Sequence, residues 1–446
     1  MKRSIRIGTG AGYSGDRIEP AVVLAEAGGL DYLIFECLAE RTIAIDQQQK
    51  LMNPELGYDP FLEARMRAVL PVCFRDKVKI LTNMGAANPI SAAKVVRKIG
   101  HEMGLRGLKI AAVYGDDVLP LIDWDRSVLM ETGEPASVVR DAVVSANAYL
   151  GHEGMVQALS SGADVVITGR VADPSLFVAP MLREFGWKWN DWDIIGKGTV
   201  IGHLMECAGQ VTGGYYADPG YKETPDLHNL GYPIAEVFSD GDAIITKVPG
   251  TGGLVSVDTC KEQLLYEIAD PSEYITPDVT ADFSRVHFEQ LGKDRVKATG
   301  GRGRPRTDCY KVSIGYSDGF MGEGQISYGG STALARAMLA NSVVRERLKM
   351  RGINPDHIDS SFIGYNSISR NLPSSMPTEV RLRVVGHVSS LFHAKIIGDE
   401  VENLYTNGPS AGGGATKSVR EVFAIKSTLI RRDSVHARIS LEEVTD

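Results

Sequence analysis

The alternation of strand-like and helix-like segments in the first half of the chain constrains its fold more than any other sequence feature. Five short apolar segments have the composition of strands: Ser4–Gly8, Asp31–Cys37, Val78–Asn83, Lys109–Tyr114 and Asp164–Gly169. Four segments between them have helical periodicity: Asp16–Ala27, Pro60–Phe74, Ser91–Met103 and Val138–Ser160. Because continuous apolar strands are buried on both faces, this order predicts a doubly wound α/β fold with a mostly parallel sheet.

The second half of the chain differs from the first in the length and polarity pattern of its predicted strands. Its predicted strands are longer and alternate in polarity: Ala243–Val248, Tyr310–Tyr316, Val380–Val388 and Ser434–Leu441. Helices are predicted over Ser331–Met350 and from near Thr416. We therefore expect an α/β domain over residues 1–225 and a second, α+β domain over residues 226–446.

Charge and cysteine content narrow the possible partners. The chain has 48 Lys and Arg against 56 Asp and Glu, a net charge of −8, and no long run of like charges, which disfavours nucleic acids and membrane surfaces. It lacks an apolar window of about 18 residues and an N-terminal signal segment. Five widely spaced cysteines favour reduced thiols over disulfides or a zinc site. We expect a cytoplasmic protein that binds neither nucleic acid nor membrane.

A glycine-rich loop follows the first predicted strand. The segment Gly10–Gly15 (GAGYSG) fits GxGxxG, and Glu36 ends the next strand, as in dinucleotide-binding folds. However, Asp16 places a carboxylate directly after the last glycine, and with Glu19 it predicts a capping box for the first helix. The pattern leaves three interpretations open: a tight turn, a nucleotide or CoA phosphate site, and a substrate-binding loop that uses Gly12, Ser14 and Asp16.

Reactive side chains follow the second predicted strand. Glu36 and Cys37 stand at its carboxyl end, where open parallel sheets bind their ligands. Either group could act as a general base if its pKa were close to neutral. The alternative is the start of a helix with a solvated pair of Glu40 and Arg41.

The third and fifth predicted strands end in further polar groups. Asn83 and Asn88 follow the third strand as a polar turn before a helix, with binding and structural roles equally open. Arg170 follows the fifth strand and suits a carboxylate or phosphate ligand. Asp173 could instead pair with Arg170 or cap the next helix, and the sequence does not separate these roles.

Two later segments are also candidates. His203 and Glu206 are spaced to share one face of a helix. They could form an acid/base pair or a metal pair, although a packed histidine is favoured over a metal ligand, and Gln210 follows. Near the C-terminus, a glycine-rich segment with Ser410 and Gly413 predicts a backbone anion site at the start of a helix. It lacks the Gly-Lys pair of a phosphate-binding P-loop, and no Gly-x-Ser-x-Gly elbow of α/β-hydrolases occurs.

Four segments together resemble the acyclic terpene utilisation family of AtuA-like proteins: residues 10–18, 35–42, 167–173 and 206–214. The resemblance covers most of the chain. We expect the chain to end before the C-terminal ferredoxin-like domain of longer members. The resemblance implies a bacterial enzyme of acyl-CoA catabolism, a lyase that splits a branched 3-hydroxyglutaryl-CoA into acetate and a 3-oxoacyl-CoA.

Roles for the candidate residues in such a retro-aldol cleavage follow from their chemistry. Glu36 or Cys37 would accept the proton of the tertiary hydroxyl. Arg170, Asn83 and the N–H groups of the glycine-rich loop would stabilise the departing carbanion. A divalent metal could share this task, with oxygen ligands from Asp16, Glu36, Asp173 or Glu206.

Two other functions remain open on the sequence alone. The glycine-rich loop and Glu36 permit an oxidoreductase that uses a nicotinamide dinucleotide. The lack of a familiar catalytic triad permits a non-catalytic CoA-binding subunit. We expect a small-molecule acyl-CoA ligand and a homo-oligomer.

Overall fold

Residues 3–354, 357–368 and 376–445 are described by the computed structural model. The strands, in chain order, are β1 (Ser4–Ala11), β2 (Tyr32–Phe35), β3 (Lys79–Thr82), β4 (Lys109–Tyr114), β5 (Val143–Ala148), β6 (Val165–Thr168), β7 (Pro233–Phe238), β8 (Ala243–Lys247), β9 (Tyr274–Ile275), β10 (Thr280–Asp282), β11 (His287–Gly292), β12 (Arg295–Thr299), β13 (Arg302–Arg304), β14 (Cys309–Gly329), β15 (Ile358–Ile363), β16 (Glu379–Val388), β17 (Gly413–Arg431) and β18 (Arg438–Glu443). The helices are α1 (Glu19–Ala27), α2 (Glu40–Met52), α3 (Leu62–Asp76), α4 (Pro89–Glu102), α5 (Glu153–Ser160), α6 (Ser175–Phe185), α7 (Trp192–Glu206), α8 (Val257–Leu265), α9 (Ala333–Met350), α10 (Leu391–Glu402) and α11 (Leu404–Asn407).

A ten-stranded sheet organises the larger of two compact units, which holds the described residues up to Gly315 and those from Ile425 onward. Its centre is parallel, in the order β1-β2-β3-β6-β4. Antiparallel strands β7, β8, β12 and β11 extend one edge, and β18 extends the other. The predicted α/β class is confirmed.

The central strands are buried on both faces, as their apolar sequences predict. In β2, Ile34 packs into one hydrophobic cluster, whereas Leu33 and Phe35 pack into a second one. Because successive side chains of a strand point to opposite faces, the two clusters are the layers between the sheet and the helices that cover it. The carboxyl ends of β1, β2, β3 and β6 therefore meet at one edge of the sheet.

The large sheet continues beyond the predicted domain boundary between residues 225 and 226. Ile5 of β1 pairs with Val237 of β7, and β18 near the C-terminus pairs with β4. The boundary predicted from the change in strand pattern therefore lies inside the larger unit. The reason is that this sheet is assembled from strands that are remote in sequence.

The smaller unit, Tyr316–Ala424, has an α+β architecture. Strands β15 and β16 pair antiparallel, and β16 pairs with the part of β14 that follows Phe320. Helices α9 and α10 pack on β16, and their apolar side chains share one cluster with Leu382 and Val384. This unit therefore has a hydrophobic core of its own.

Two predicted helices are wrong. The range Val138–Ser160 contains strand β5 and only then helix α5, and Thr416 lies within strand β17 instead of starting a helix. Strand β5 pairs with β14, which lies far along the chain, so the contact that selects the strand is invisible in the local pattern. Within the described residues, none of the helices combines the length and apolar character needed to cross a bilayer.

Candidate functional site

A cavity of about 780 Å³ lies at the carboxyl ends of β1 and β2. The segment that follows α7 forms its opposite wall. Eight of the sequence-predicted site residues line it: Gly12, Ser14, Asp16, Glu36, Cys37, Asp173, Glu206 and Gln210. They come from four separate segments, which the parallel sheet and α7 bring to one place. Ligands of open α/β sheets bind at this edge, so the cavity is the candidate functional site.

The glycine-rich loop is satisfied by the protein's own atoms. A Cβ on Gly12 would lie 2.6 Å from the backbone carbonyl carbon of Cys207, so this glycine permits a close approach between two loops. The carboxylate of Asp16 accepts hydrogen bonds from the backbone N–H of Gly12 and of Arg17, each at 2.9 Å, and from the hydroxyl of Tyr232. An anion already occupies these donors, and this does not favour a pyrophosphate at the loop.

The predicted capping box of the first helix is wrong. Helix α1 begins at Glu19, and no side chain caps its first turn. Asp16 is turned back into the loop instead, where it orders the backbone beside the cavity. Ser14 also has a structural contact, because its hydroxyl hydrogen-bonds the carboxylate of Asp59.

Glu36 is held at the cavity wall by the amide of Asn83. Its Oε1 accepts hydrogen bonds from Asn83 Nδ2 at 2.8 Å and from the backbone N–H of Leu38 at 3.1 Å. Burial raises the pKa of Glu36 well above its usual range, and the charge of Asp173 raises it further, although Arg170 and Asn83 oppose this. A carboxyl group with a raised pKa keeps its proton to a higher pH than an exposed one and can act as an acid.

Cys37 also lines the cavity, but its chemistry differs from the sequence expectation. Its backbone N–H donates to Asn83 Oδ1 at 2.7 Å, so Asn83 fixes both candidate residues after β2. Burial raises the pKa of the Cys37 thiol well above its usual value. A thiol in this state stays protonated, so the geometry does not favour Cys37 as the base.

Arg170 lies behind the cavity and does not line it. Its side chain is fully buried, pairs with the carboxylate of Asp173, and lies over the ring of Tyr149 with 4.5 Å between the guanidinium carbon and the ring centre. Burial raises the pKa of Asp173, while the charge of Arg170 lowers it. Arg170 is therefore a buried counter-ion that favours the ionised form of Asp173 at the cavity wall.

Glu206 at the end of α7 is, after Glu36 and Asp173, the third carboxyl group of the cavity whose pKa is raised. Its Oε1 lies 2.7 Å from Nδ1 of His203, and its buried Oε2 has no hydrogen-bond partner among the described atoms. Burial raises the pKa of Glu206 to about 7, although His203 opposes the shift. The His203 ring packs against Tyr274 and Phe283 and serves to hold Glu206.

The remaining predicted residues have separate positions. Asn88 caps α4 by accepting from the N–H of Ser91, and its amide donates to two backbone carbonyls, which is a structural role. Gln210 is part of the cavity wall. Ser410 and Gly413 belong to the smaller unit, where Gly413 begins β17 and the Ser410 carbonyl accepts from Arg336. The helix predicted after this glycine segment is therefore absent from the described residues.

Several lining residues were missed by the sequence analysis as site residues, above all Glu40 and Glu267. Together with the predicted acids they give the cavity six carboxyl groups, against the single guanidinium of Arg17. Glu267 and Tyr215 also adopt left-handed backbone angles, with φ of 60° and 62°. Such strain in non-glycine residues is typical of functional sites, but no local pattern marks these positions.

The cavity carboxylates do not form a ready-made metal site. The bonds that Asp16 accepts involve both of its carboxylate oxygens, and Glu36 uses Oε1 for Asn83 and Leu38. Among the described residues, the one group of three possible ligands whose atoms lie within 4.8 Å of one another is His152, Glu153 and Asp278, outside this cavity.

Comparison with known proteins gives one match. Residues 5–441 match the family described as "Acyclic terpene utilisation family protein AtuA". The comparisons with curated proteins and with solved structures return no match.

Proposed function

The chain belongs to the acyclic terpene utilisation family AtuA, and from this premise we propose that it is a carbon–carbon lyase of acyl-CoA catabolism. The proposed reaction is the retro-aldol cleavage of a branched 3-hydroxyglutaryl-CoA-type substrate into acetate and a 3-oxoacyl-CoA. The observation that supports it is a pair of carboxyl groups in one cavity that have different partners: Glu36 is buried and accepts from the amide of Asn83, whereas Asp173 pairs with the guanidinium of Arg170.

The reaction needs one base and one acid. The base removes the proton of the tertiary hydroxyl, the bond between the hydroxyl-bearing carbon and the carboxymethyl group breaks, and the acid protonates the leaving carbon to give acetate. Asp173 is suited to be the base because Arg170 favours its ionised form. Glu36 is suited to be the acid because burial keeps its proton in place.

The acid-rich lining also bears on how the substrate binds. Six ionised carboxylates would repel the carboxylate of such a substrate. The raised pKa values of Glu36 and Glu206 reduce this repulsion, because each group is largely neutral below its pKa and can donate a hydrogen bond. Glu206 lines the cavity, and its buried Oε2 has no hydrogen-bond partner among the described atoms. We propose that Glu206 binds the carboxylate that leaves as acetate.

Turnover of 3-hydroxy-3-methylglutaryl-CoA and longer-chain analogues, with and without EDTA, tests the proposal. Glu36→Gln keeps the side-chain shape but cannot supply a proton, so we expect kcat to fall by about 100-fold or more. Glu26→Gln, on the exposed side of α1, is the matched control and should keep full activity.

No product from any analogue would contradict the lyase. Full activity in Glu36→Gln, or an equal loss in Glu26→Gln, would contradict the role of Glu36 as the acid. Saturable binding of NADH without cleavage would favour the oxidoreductase, and CoA binding without turnover would favour a non-catalytic subunit.

A further inference from the structure

A second cavity in the larger unit shares no lining residue with the first one and has a different charge. Its volume is about 520 Å³, and it is lined by α5, the loop before β14 and the segment before β18. Its charged side chains are Arg306, Arg432 and Glu153, and His436 lies beside them. Two guanidinium groups face one carboxylate, whereas the first cavity has six carboxyl groups and one guanidinium.

Arg432 is held rigidly and has a donor to spare. Its Nε and Nη2 donate to the carbonyls of Thr307 and Pro277 at 3.2 and 2.6 Å, and its guanidinium lies 4.1 Å from the ring centre of Tyr310. The remaining nitrogen, Nη1, is buried without a hydrogen-bond partner among the described atoms. A buried charged donor without an acceptor is unfavourable, so this nitrogen is suited to bind an anion.

Glu153 takes the place of such an anion in the present structure. Its Oε1 pairs with Arg306 and lies 3.9 Å from Nη1 of Arg432, too far for a hydrogen bond. The carboxylate therefore pairs closely with Arg306 and leaves Nη1 of Arg432 without a hydrogen-bond acceptor. Glu153 is also the first residue of α5, whose positive end adds to the local attraction for anions.

The cavity also offers a surface for a flat ring. Trp189 lies at its wall with 48% of the residue exposed. Aromatic faces of this kind bind planar ligand groups by stacking. Gln157 and Ser160, on the next turns of α5, supply hydrogen-bonding groups at the same wall.

A cation is a poor candidate for this place, although His152, Glu153 and Asp278 come close together. His152 Nδ1 lies 2.8 Å from Asp278 Oδ1, and Ser175 donates to Asp278 Oδ2 at 2.6 Å. Glu153 pairs with Arg306. The carboxylates of Glu153 and Asp278 thus already have protein partners, and two arginines repel a metal ion.

We propose that this second cavity binds a small organic anion, with its phosphate or carboxylate between Arg306 and Arg432 and a flat ring against Trp189. The anion replaces Glu153 at Arg306 and supplies the missing acceptor to Arg432. The proposed lyase reaction does not require this site, so the proposal goes beyond the proposed function.

Isothermal titration of the full chain with three probes tests the proposal. AMP carries a phosphate and a flat ring, ribose 5-phosphate lacks the ring, and adenosine lacks the phosphate. We expect saturable binding of one AMP per chain, binding of ribose 5-phosphate that is several-fold weaker, and no detectable binding of adenosine. Failure of AMP to bind, or equal binding of AMP and adenosine, would overturn the site.

Three variants locate the binding. Arg306→Gln should weaken AMP binding by about tenfold or more, since it removes a charged donor. Glu153→Gln should strengthen it, because it removes the carboxylate that competes for Arg306. Arg304→Gln is the matched control, since Arg304 is exposed and pairs with Glu273 outside the cavity. Unchanged affinity in Arg306→Gln, or an equal loss in Arg304→Gln, would refute the assignment.

Discussion

Buried charges dominate this molecule at the scale of single residues. Arg170 was expected to be a ligand for a substrate anion, yet it is enclosed by the protein and paired with Asp173. Its removal would leave the Asp173 carboxylate without its charged partner and empty the space of a fully buried side chain, which is costly for folding. Loss of activity in Arg170→Ala would therefore not separate a role in chemistry from a role in stability. Glu36→Gln is the cleaner variant, since an amide oxygen can still accept from Asn83 Nδ2 and from the N–H of Leu38.

Asp46 in α2 leads to a pH-dependent prediction. It is 5% exposed, and burial together with the charge of Asp59 raises its pKa from 3.8 to about 7. The folded protein therefore holds this proton up to about pH 7, whereas the unfolded chain loses it near pH 4. Ionisation opposes folding as the pH rises through this window, and a neutral side chain avoids the penalty.

We expect Asp46→Asn to raise the free energy of unfolding at pH 8 by up to about 4 kcal/mol and to change it little at pH 3. Urea unfolding at both pH values measures the difference. Asp125→Asn, at an exposed position, is the control and should show no such pH dependence. A destabilised Asp46→Asn at pH 8 would show that the carboxylate has a stabilising partner.

The glycine-rich loop is the most informative segment at the scale of elements. It has the spacing of a dinucleotide-binding loop, but Gly12 is needed for its contact with the backbone of Cys207. Because Cys207 follows α7, the loop joins β1 to the helix that carries Glu206. Gly12 therefore helps to shape the cavity, because it lets the loop after β1 pack against the segment after α7.

Gly12→Ala should reduce stability by about 1–3 kcal/mol, since a Cβ would overlap the carbonyl group of Cys207 and push the two loops apart. Gly292→Ala is the control, because a Cβ at this position meets no atom within 4 Å. Denaturant unfolding of both variants gives the comparison. Equal stabilities would mean that the loops separate without cost and that the contact is unimportant.

The whole molecule is divided into two units with separate hydrophobic cores. The core of Tyr316–Ala424 contains Leu382, which is fully buried, and the larger unit contains Leu33 in the same state. Stability in such a protein can differ from unit to unit. The homo-oligomer predicted from the sequence stays a prediction.

We expect Leu382→Ala to cost about 2–5 kcal/mol, with faster hydrogen exchange concentrated in Tyr316–Ala424. Leu33→Ala is the reciprocal variant and should accelerate exchange mainly in the ten-stranded sheet. Mass-spectrometric detection of exchange resolves the two regions. A uniform acceleration over the chain in both variants would show that the two cores unfold as one.

The sequence by itself determined the α/β class and the edge of the sheet at which the site residues collect. Strand β4 has the predicted bounds, and β1, β2, β3 and β6 overlap the predicted segments, because apolar runs and turn residues act locally. The same local signals predict that Glu36 and Asp173 follow the ends of strands, and both do.

Only the tertiary structure decided which strands complete the sheet and which acids are buried. The pairing of β1 with β7, of β4 with β18 and of β5 with β14 joins residues remote in the chain. The predicted boundary at residue 225 and the predicted helix over Val138–Ser160 missed these contacts. Desolvation of Glu36 and Glu206 likewise depends on neighbours from other segments, so the raised pKa values of these two groups arise only on folding.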